Sequence, residues 1–220
     1  MIEAVIFDMD GLMFDTERMI IDLFEMLKEK YQLSIPKEVT YQLIGTDSSI
    51  VKRLNQQYPG LETVMDDYQS HRMEYTWMYF KKPGDANKKG LKELVEYLNE
   101  KKIPFAVASS SKKEHIQEMI DKAGFELKPN VVVSSKEGNM PGKPAPDVFL
   151  KAADMMGIPA ENCLVLEDSK YGIMAAHNAG MKSVFIQDQI IPDEQMKQYI
   201  QMECDSLLDV MDIIKRGCFS

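Results

Sequence analysis

The chain has 220 residues, of which 45% are hydrophobic, so it can form one large core or a core with a small accessory domain. Its formal net charge of -9 disfavours nucleic acid and anionic membranes as partners. Three cysteines lack paired or metal-binding spacing, and there is no signal peptide and no apolar stretch of roughly 20 residues. We therefore expect a cytoplasmic protein, acting as a monomer.

The first predicted strand, Ala4-Val5-Ile6-Phe7, runs directly into the sequence Asp8-Met9-Asp10-Gly11. Residues two apart in extended backbone point to the same side, so Asp8 and Asp10 can converge where the chain leaves the sheet. Two close carboxylates repel each other unless a cation or a shared proton lies between them. Because the same motif also occurs in surface turns, it indicates a functional site only together with the rest of the chain.

A long segment without predicted strands separates the first strand from the second, which begins at Phe105. This segment is too long for one crossover helix, and its apolar residues recur at helical spacing. The helical patterns cover residues 17–31, 38–44, 47–57 and 61–80. The sequence therefore predicts an inserted all-helical module, which we expect to act as a lid with hinges near Phe14-Asp15 and Lys82-Gly84.

Four further apolar runs predict strands, and polar or acidic residues follow each of them. The runs are Phe105 to Ala108 before Ser109, Ser110 and Ser111, Val131 to Val133 before Ser134, Cys163 to Leu166 before Glu167 and Asp168, and Ser183 to Ile186 before Gln187 and Asp188. Near-continuous apolar runs separated by helices are typical of a parallel sheet covered on both faces. We expect a doubly wound α/β fold that binds its ligand at the carboxyl ends of these strands.

Helix signals follow three of these strands. The sequence Ser111-Lys112-Lys113-Glu114 predicts a capping box, and Gly124 is placed to end the helix that the box begins. Residues 146–156 and 169–179 predict two more helices, which Gly157 and Gly180 would end. The free N–H groups at the start of the helix that follows Ser111 would face the strand ends, where an anion could bind.

Four motifs occur in order: Asp8-x-Asp10-Gly11-x-x-x-Asp15, Ser109 after an apolar strand, Gly142-Lys143-Pro144-x-Pro146-Asp147, and Glu167-Asp168-Ser169-x-x-Gly172-Ile173-x-Ala175-Ala176. Together they resemble the motifs of the haloacid dehalogenase superfamily over essentially the whole chain. The insertion resembles the branch with a helical cap, which includes β-phosphoglucomutase and many small-metabolite phosphatases. The resemblance implies a Rossmann-like core of residues 1–15 and 83–220 and a helical cap domain of residues 16–82.

The resemblance implies a Mg²⁺-dependent phosphatase that works through an aspartyl-phosphate. Asp8 would be the nucleophile, and Asp10 would protonate the leaving alcohol and activate water. The phosphate oxygens would be bound by Ser109, Ser110 and Lys143. The Mg²⁺ ligands would be the carboxylates of Asp8 and Asp168 and the carbonyl of Asp10, with Glu167 supporting the ion directly or through water.

Each of these roles has a structural alternative. The serines at 109–111 could form only a helix N-cap cluster, a role that we expect of Ser111. Lys143 could be an ordinary exposed lysine, and Glu167 with Asp168 could be an acidic pair favoured by a helix dipole. We expect the histidines to be surface or helix residues without a catalytic role: His71, His115 and His177.

Within the superfamily, Asp10 favours phosphate ester chemistry, because a halide leaving group needs no proton. β-Phosphoglucomutases resemble the chain through Asp15-Thr16, but they carry a cap histidine at the position of Ile20 and a cap-loop arginine near Ser48. Their absence favours hydrolysis of a small phosphorylated metabolite, above all a sugar phosphate. The mutase remains the alternative, because the alignment of this loop can shift and Arg53 could substitute. A catalytically silent ligand-binding protein is a less favoured alternative.

Overall fold

The computed structural model describes residues 2–43, 48–138, 140–188 and 191–219. The chain divides into two compact units, Met1–Asp15 with Lys82–Ser220, which we call the core unit, and Thr16–Lys81, which we call the helical unit. Among the described residues, strands occur in the core unit alone. None of the described helices is both long and apolar enough to cross a membrane.

Strands and helices alternate along the core unit. The described elements of the helical unit are all helices. The strands are β1 (Ala4–Phe7), β2 (Phe105–Ser109), β3 (Val131–Ser134), β4 (Cys163–Glu167), β5 (Lys182–Ile186) and β6 (Glu203–Cys204). The helices of the helical unit are α1 (Thr16–Lys30), α2 (Lys37–Leu43), α3 (Ser48–Gln57) and α4 (Leu61–Tyr79). Those of the core unit are α5 (Leu91–Lys101), α6 (Lys113–Asp121), α7 (Asp147–Met156), α8 (Lys170–Asn178), α9 (Glu194–Lys197) and α10 (Leu207–Arg216).

The strands form one parallel sheet in the order β3-β2-β1-β4-β5-β6. The chain winds outward from β1 to β3 and then, from β4 onward, in the opposite direction. Because the winding reverses between β1 and β4, their carboxyl ends border the crevice where such sheets bind ligands. The predicted doubly wound α/β fold is confirmed, with β6 as an additional edge strand.

Both faces of the sheet are buried. On one face, Ala4 and Ile6 of β1 pack in a cluster with Val148 and Phe149 of α7 and with residues of α8. The alternate residues of β1 point to the opposite face and are buried as well. There, the rings of Phe7 and Phe105 meet edge to face, 5.8 Å apart. Burial on both faces explains why the strands are continuous apolar runs rather than alternating ones.

The helical unit has an apolar core of its own. Residues from all four helices contribute, among them Leu27, Val39, Leu54 and Val64. Ile20, at the position of the mutase histidine, packs against this core. The observed helices begin and end within one residue of the predicted bounds wherever these lie in the described part. Residues 44–47, which include most of the loop compared with the mutase arginine loop, lie outside the described residues.

Candidate active site

Strand register brings Asp8 next to Glu167 at the carboxyl edge of the sheet. Phe7 of β1 pairs with Leu166 of β4, and each strand then continues by one residue into a carboxylate. The Asp8 backbone N–H donates to the Leu166 carbonyl oxygen at 3.0 Å, so the ladder extends to Asp8. Two acidic side chains therefore meet where the winding of the sheet reverses.

Asp168 completes a buried cluster of three carboxylates. One oxygen each of Asp8, Glu167 and Asp168 lies within 4.8 Å of the other two, and all three residues are buried. Buried carboxylates at this spacing repel each other, and oxygen ligands of this kind suit a hard cation such as Mg²⁺. The residues present thus fit the metal that the haloacid dehalogenase motifs imply.

Lys143 is not an exposed lysine, because only 7% of its side chain is accessible. Its ammonium group donates to Asp8 Oδ1 and to Glu167 Oε1, the latter at 2.5 Å. The same group lies 4.7 Å from the centre of the Phe149 ring, within the range of a cation–π contact. The chain from Gly142 to Pro144 therefore directs this cation into the carboxylate cluster.

Burial and neighbouring charges shift two pKa values in this cluster. Burial raises the pKa of Asp8 to about 7; the Lys143 ammonium opposes this shift, and the carboxylates of Glu167 and Asp10 add to it. Burial alone would lower the pKa of Lys143, but the adjacent carboxylates of Asp8 and Glu167 outweigh it and hold that pKa above its usual range. A divalent cation bound by these carboxylates would add positive charge beside the Lys143 ammonium.

Glu167 is fixed by the turn that joins β4 to α8. Its Oε2 accepts the backbone N–H groups of Asp168 at 2.9 Å and Ser169 at 2.8 Å, while Oε1 accepts Lys143. The Ser169 hydroxyl caps α8 by accepting the Gly172 N–H at 3.0 Å. A Cβ atom on Gly172 would lie 1.7 Å from Glu167 Oε1. Glycine at 172 therefore makes room for the carboxylate that holds Lys143.

The serines after β2 lie at the same edge of the sheet. Ser109 is buried, and its Oγ accepts the Ser111 N–H at 3.0 Å, whereas Ser110 is exposed. Ser134, which pairs with Ser109 across the β2–β3 ladder, donates its hydroxyl to the Ser111 carbonyl at 2.6 Å. This hydroxyl-rich turn lies at the end of β2, which is adjacent to β1 in the sheet. The turn is therefore a neighbour of the segment that carries Asp8.

The predicted capping box at Ser111 is wrong. The residue that caps α6 is Lys112, which makes no side-chain capping bond, and the helix begins at Lys113. The Ser111 hydroxyl instead donates to Asp10 Oδ2 at 2.6 Å. Asp10 therefore accepts this bond from a residue that follows another strand, 101 positions along the chain.

His115 is also closer to the site than its sequence suggests. It lies on α6, as a helix residue, but its side chain is only 6% exposed, and Nε2 lies 3.8 Å from Asp10 Oδ1. Its burial could have been predicted from its spacing to Met119, because residues four apart share a helix face and Met119 belongs to the apolar face. A buried histidine on that face needs a polar neighbour, and Asp10 is one.

The profile of the haloacid dehalogenase-like hydrolases matches residues 5–186 of the chain. The chain is 31% identical over 202 residues to a probable pseudouridine-5'-phosphatase of Drosophila melanogaster, a match covering 90% of this chain and 87% of that protein. It is 25% identical over 183 residues to a phosphorylated carbohydrates phosphatase of Thermotoga maritima, covering 83% of this chain and 84% of that one.

Solved structures agree in fold. The crystal structure of a haloacid dehalogenase family hydrolase from Deinococcus radiodurans superposes with a TM-score of 0.78 at 21% identity, over 99% of this chain and 97% of that one. A β-phosphoglucomutase structure from Clostridium difficile gives a TM-score of 0.76 at 22% identity, over 98% and 96% of the two chains. The chain is an enzyme of the haloacid dehalogenase-like hydrolase family.

Proposed function

We propose that the chain is a Mg²⁺-dependent phosphomonoesterase that hydrolyses a small phosphorylated metabolite, with sugar phosphates as the leading class. The observation that carries this proposal is the cluster in which the Lys143 ammonium contacts Asp8 and Glu167 beside Asp168. A nucleophilic carboxylate, a fixed cation and a set of hard oxygen ligands are together what transfer of a phosphoryl group requires.

The metal would be held by residues at the ends of β1 and β4. Its ligands would be the carboxylates of Asp8 and Asp168 and the Asp10 carbonyl, with Glu167 in support. A bound Mg²⁺ would neutralise charge on the phosphate oxygens, which otherwise repel an approaching carboxylate. Glu167 already uses both of its oxygens for Lys143 and backbone N–H groups, so we assign it a supporting role.

The chemistry would proceed in two balanced steps. A carboxylate oxygen of Asp8 attacks phosphorus while the bond from phosphorus to the substrate oxygen breaks, and Asp10 gives its proton to the departing alcohol. A water molecule then attacks the phosphorus of the Asp8 phosphate while Asp10 takes a proton from it, which releases inorganic phosphate and restores Asp8. The sum is one ester and one water consumed, and one alcohol and one phosphate formed.

Phosphate binding would fall to groups on the two sides of Asp8. Ser109 ends β2 and Ser110 follows it on one side, and on the other side the Lys143 ammonium contacts both Asp8 and Glu167. Serine hydroxyl, backbone N–H and ammonium groups are common partners of phosphate oxygens. The charge of Lys143 would compensate the phosphate when the ester or the phosphorylated Asp8 is present.

The relatives support the substrate class. Proteins at 31% and 25% identity over most of their length are a probable pseudouridine-5'-phosphatase and a phosphorylated carbohydrates phosphatase. Both names specify a phosphate on a sugar-containing metabolite. We propose that the helical unit, which is inserted directly after the segment that carries Asp8 and Asp10, acts as a cap domain that selects among such metabolites.

A reducing, cytoplasmic setting is part of the proposal. The three cysteines are free, with Cys163 and Cys204 buried and Cys218 exposed, so the described chain needs no oxidising compartment to reach its fold.

The direct test is release of phosphate from a generic aryl phosphate with and without Mg²⁺, followed by a panel of phosphorylated metabolites. We expect turnover that depends on Mg²⁺ and that is lost after exhaustive chelation, with the highest kcat/KM on a sugar phosphate. Activity that survives chelation would rule out the metal, and no activity on any ester would favour the silent binding protein.

The mutase alternative needs its own assay. Conversion of β-glucose 1-phosphate to glucose 6-phosphate is followed in a coupled assay beside phosphate release, with a bisphosphate primer present. We expect phosphate release alone, because a mutase must hold two phosphates at once and Ile20 offers no charge at the cap. Glucose 6-phosphate formed faster than phosphate, and dependent on the primer, would establish the mutase instead.

A further inference from the structure

We propose that Ser111 and His115 are positioning residues that hold the Asp10 carboxyl in the orientation needed for proton transfer. The inference rests on the proposed function, because it concerns the residue that would protonate the leaving alcohol. It gives a role in the reaction to two residues, Ser111 and His115, to which the four family motifs assign none. Ser111 precedes α6 and His115 lies in its first turn, far along the chain from Asp10.

The geometry places one group on each oxygen of the same carboxyl. The Ser111 hydroxyl donates to Asp10 Oδ2 at 2.6 Å, and His115 Nε2 lies 3.8 Å from Asp10 Oδ1. The histidine side chain is 6% exposed and the Asp10 side chain 25% exposed, so the histidine is fixed by packing while the acid remains accessible. The Ser111 hydroxyl fixes one oxygen of the carboxyl, and the buried ring of His115 borders the other at 3.8 Å, beyond hydrogen-bond distance.

The serine is itself held in place by the sheet. Its N–H donates to Ser109 Oγ at 3.0 Å, and its carbonyl accepts the Ser134 hydroxyl at 2.6 Å. Ser109 and Ser134 are paired residues of β2 and β3, so Ser111 is attached to both strand ends. The hydroxyl that contacts Asp10 is therefore carried by a rigid support rather than by a mobile loop, as an effective catalytic arrangement requires.

Fixing the acid matters most when the leaving group is poor. An alkoxide leaves only if a proton reaches it as the bond to phosphorus breaks, so a misdirected Asp10 slows that step. A nitrophenolate leaves without a proton, so the same misdirection leaves the formation of the Asp8 phosphate unchanged. A purely structural role of Ser111 or His115 would instead lower both reactions together.

The experiment compares leaving-group release in a single turnover for two esters, an alkyl phosphate from the metabolite panel and 2,4-dinitrophenyl phosphate. The full-length variants are Ser111→Ala, which removes the hydroxyl, His115→Phe, which keeps a buried ring, and His115→Gln, whose amide nitrogen can take the place of Nε2. The matched control is Gln117→Ala, an exposed residue on the same helix whose side chain bonds only to Asp121 among the contacts described. Thermal unfolding is recorded for each.

We expect Ser111→Ala and His115→Phe to slow alcohol release from the alkyl ester by about 10- to 100-fold. Release of dinitrophenolate should change by less than about threefold, and the concentration that gives half of the maximal single-turnover rate should change little. His115→Gln should recover most of the lost rate, and Gln117→Ala should behave as wild type. If His115→Phe does not fold, Ser111→Ala decides, since it removes one hydroxyl from a position supported by backbone bonds.

Equal losses on both esters, or no loss on the alkyl ester, would overturn the positioning role while leaving the phosphatase intact. A wild-type protein that releases no leaving group from either ester would overturn the proposed function, and the positioning role with it. These two failures are distinguishable, because the first shows an active wild type and the second does not.

Discussion

Asp8 lies in surroundings that few aspartates share. It is buried at the end of a strand, contacts an ammonium group and has two further carboxylates within 4.8 Å. Burial removes the hydration that normally weakens a carboxylate as a nucleophile. The Lys143 ammonium offsets the repulsion between Asp8 and the neighbouring carboxylates. The same features suit it as a ligand for a cation, so one of its oxygens could bind the cation while the other attacks phosphorus.

The substitution Asp8→Asn tests the nucleophile. The amide keeps the shape and the backbone bond to Leu166, so we expect the fold to persist. It removes the negative charge and the nucleophilic oxygen, so turnover should fall below about a hundredth of wild type. Phosphate release measures the activity, and circular dichroism with thermal unfolding provides the control for folding. Activity above that level in a folded variant would contradict the assignment.

The cysteines allow a second test at the residue scale. Burial raises the pKa of the Cys163 thiol to about 11, with Glu3 and Glu161 adding to the shift, and burial likewise raises the pKa of Cys204 to about 11. Only thiolates react quickly with maleimides or disulfide reagents, and Cys218 is exposed. We expect one label per native chain and three after denaturation, counted by mass spectrometry.

The matched control is Cys218→Ser, which should take up no label until it is denatured. Two or more labels on the native wild-type protein would contradict the burial of the other two thiols.

Which residues meet at the site follows partly from sequence alone. Parallel strands end at one edge, so the strand pattern is enough to bring Asp8 together with the acidic pair after β4. The partner of Ser111 could not be predicted in this way, because Asp10 is 101 positions away and a local capping pattern offered a simpler explanation. His115 was missed for a related reason: a single histidine on an apolar helix face carries no spacing signal for a site.

At the scale of elements, the turn from β4 into α8 joins sheet, helix and site. Glu167 ends the strand, Ser169 caps the helix, and Gly172 in the first turn leaves space for the Glu167 carboxylate. The helix can therefore begin directly against a buried charge. A larger residue at position 172 would force that charge away from Lys143.

The substitution Gly172→Ala tests this packing. Alanine favours helix, so an open position would gain stability by up to about 1 kcal/mol. Here the new Cβ overlaps a carboxylate held by Lys143 and two N–H groups, and we expect a lower melting temperature and at least a tenfold loss of kcat, on the order of what a misplaced catalytic group costs.

The matched control is Tyr171→Ala, at the neighbouring and exposed position of the same helix. It should change neither stability nor kcat by more than a small factor. A Gly172→Ala variant as stable and active as this control would show that Glu167 can move without consequence.

Strands and helices were predicted well where the sequence carries a clear apolar run or a glycine that ends a helix. The strands β1 to β5 each contain a run of at least three apolar residues. Gly157 ends α7 in the left-handed conformation with a φ of 70°, as expected. The strand β6 has only two residues, too few for a pattern. The helices α5 and α10, which pack against each other, were not predicted. The first begins after Gly90, which offers no side-chain cap, and the second begins after β6, which was itself not predicted.

At the scale of the whole chain, two units with separate apolar cores share one sequence. The core unit is interrupted between Asp15 and Lys82, and the helical unit has its own cluster of buried side chains. The length of the segment between the first two predicted strands indicated this insertion, because no single crossover helix fills so many residues. Residues of the helical unit that would select a ligand could not be predicted from sequence, since helical periodicity identifies buried positions and not binding residues.

The core unit should fold without the helical unit. The two ends of the interruption approach each other within the core: the Asp15 N–H donates to the Ala86 carbonyl at 2.7 Å, and Phe14 pairs with Asn87 in an antiparallel bridge. Lys82 begins a turn closed by the Asp85 N–H at 3.1 Å. A short glycine-serine linker in place of residues 16–81 therefore has little distance to span, and loop closure costs little entropy at that length.

We expect the excised core to unfold cooperatively and to bind Mg²⁺, because the sheet and the cluster at Asp8, Glu167 and Asp168 lie entirely within it. It should hydrolyse an aryl phosphate slowly and lose most of the discrimination among metabolites that the full chain shows. The same excision with Asp8→Asn is the control, and it should remove the residual hydrolysis. An excised core without a cooperative thermal transition would contradict independent folding. One that kept full selectivity would place specificity in the core unit rather than in the helical unit.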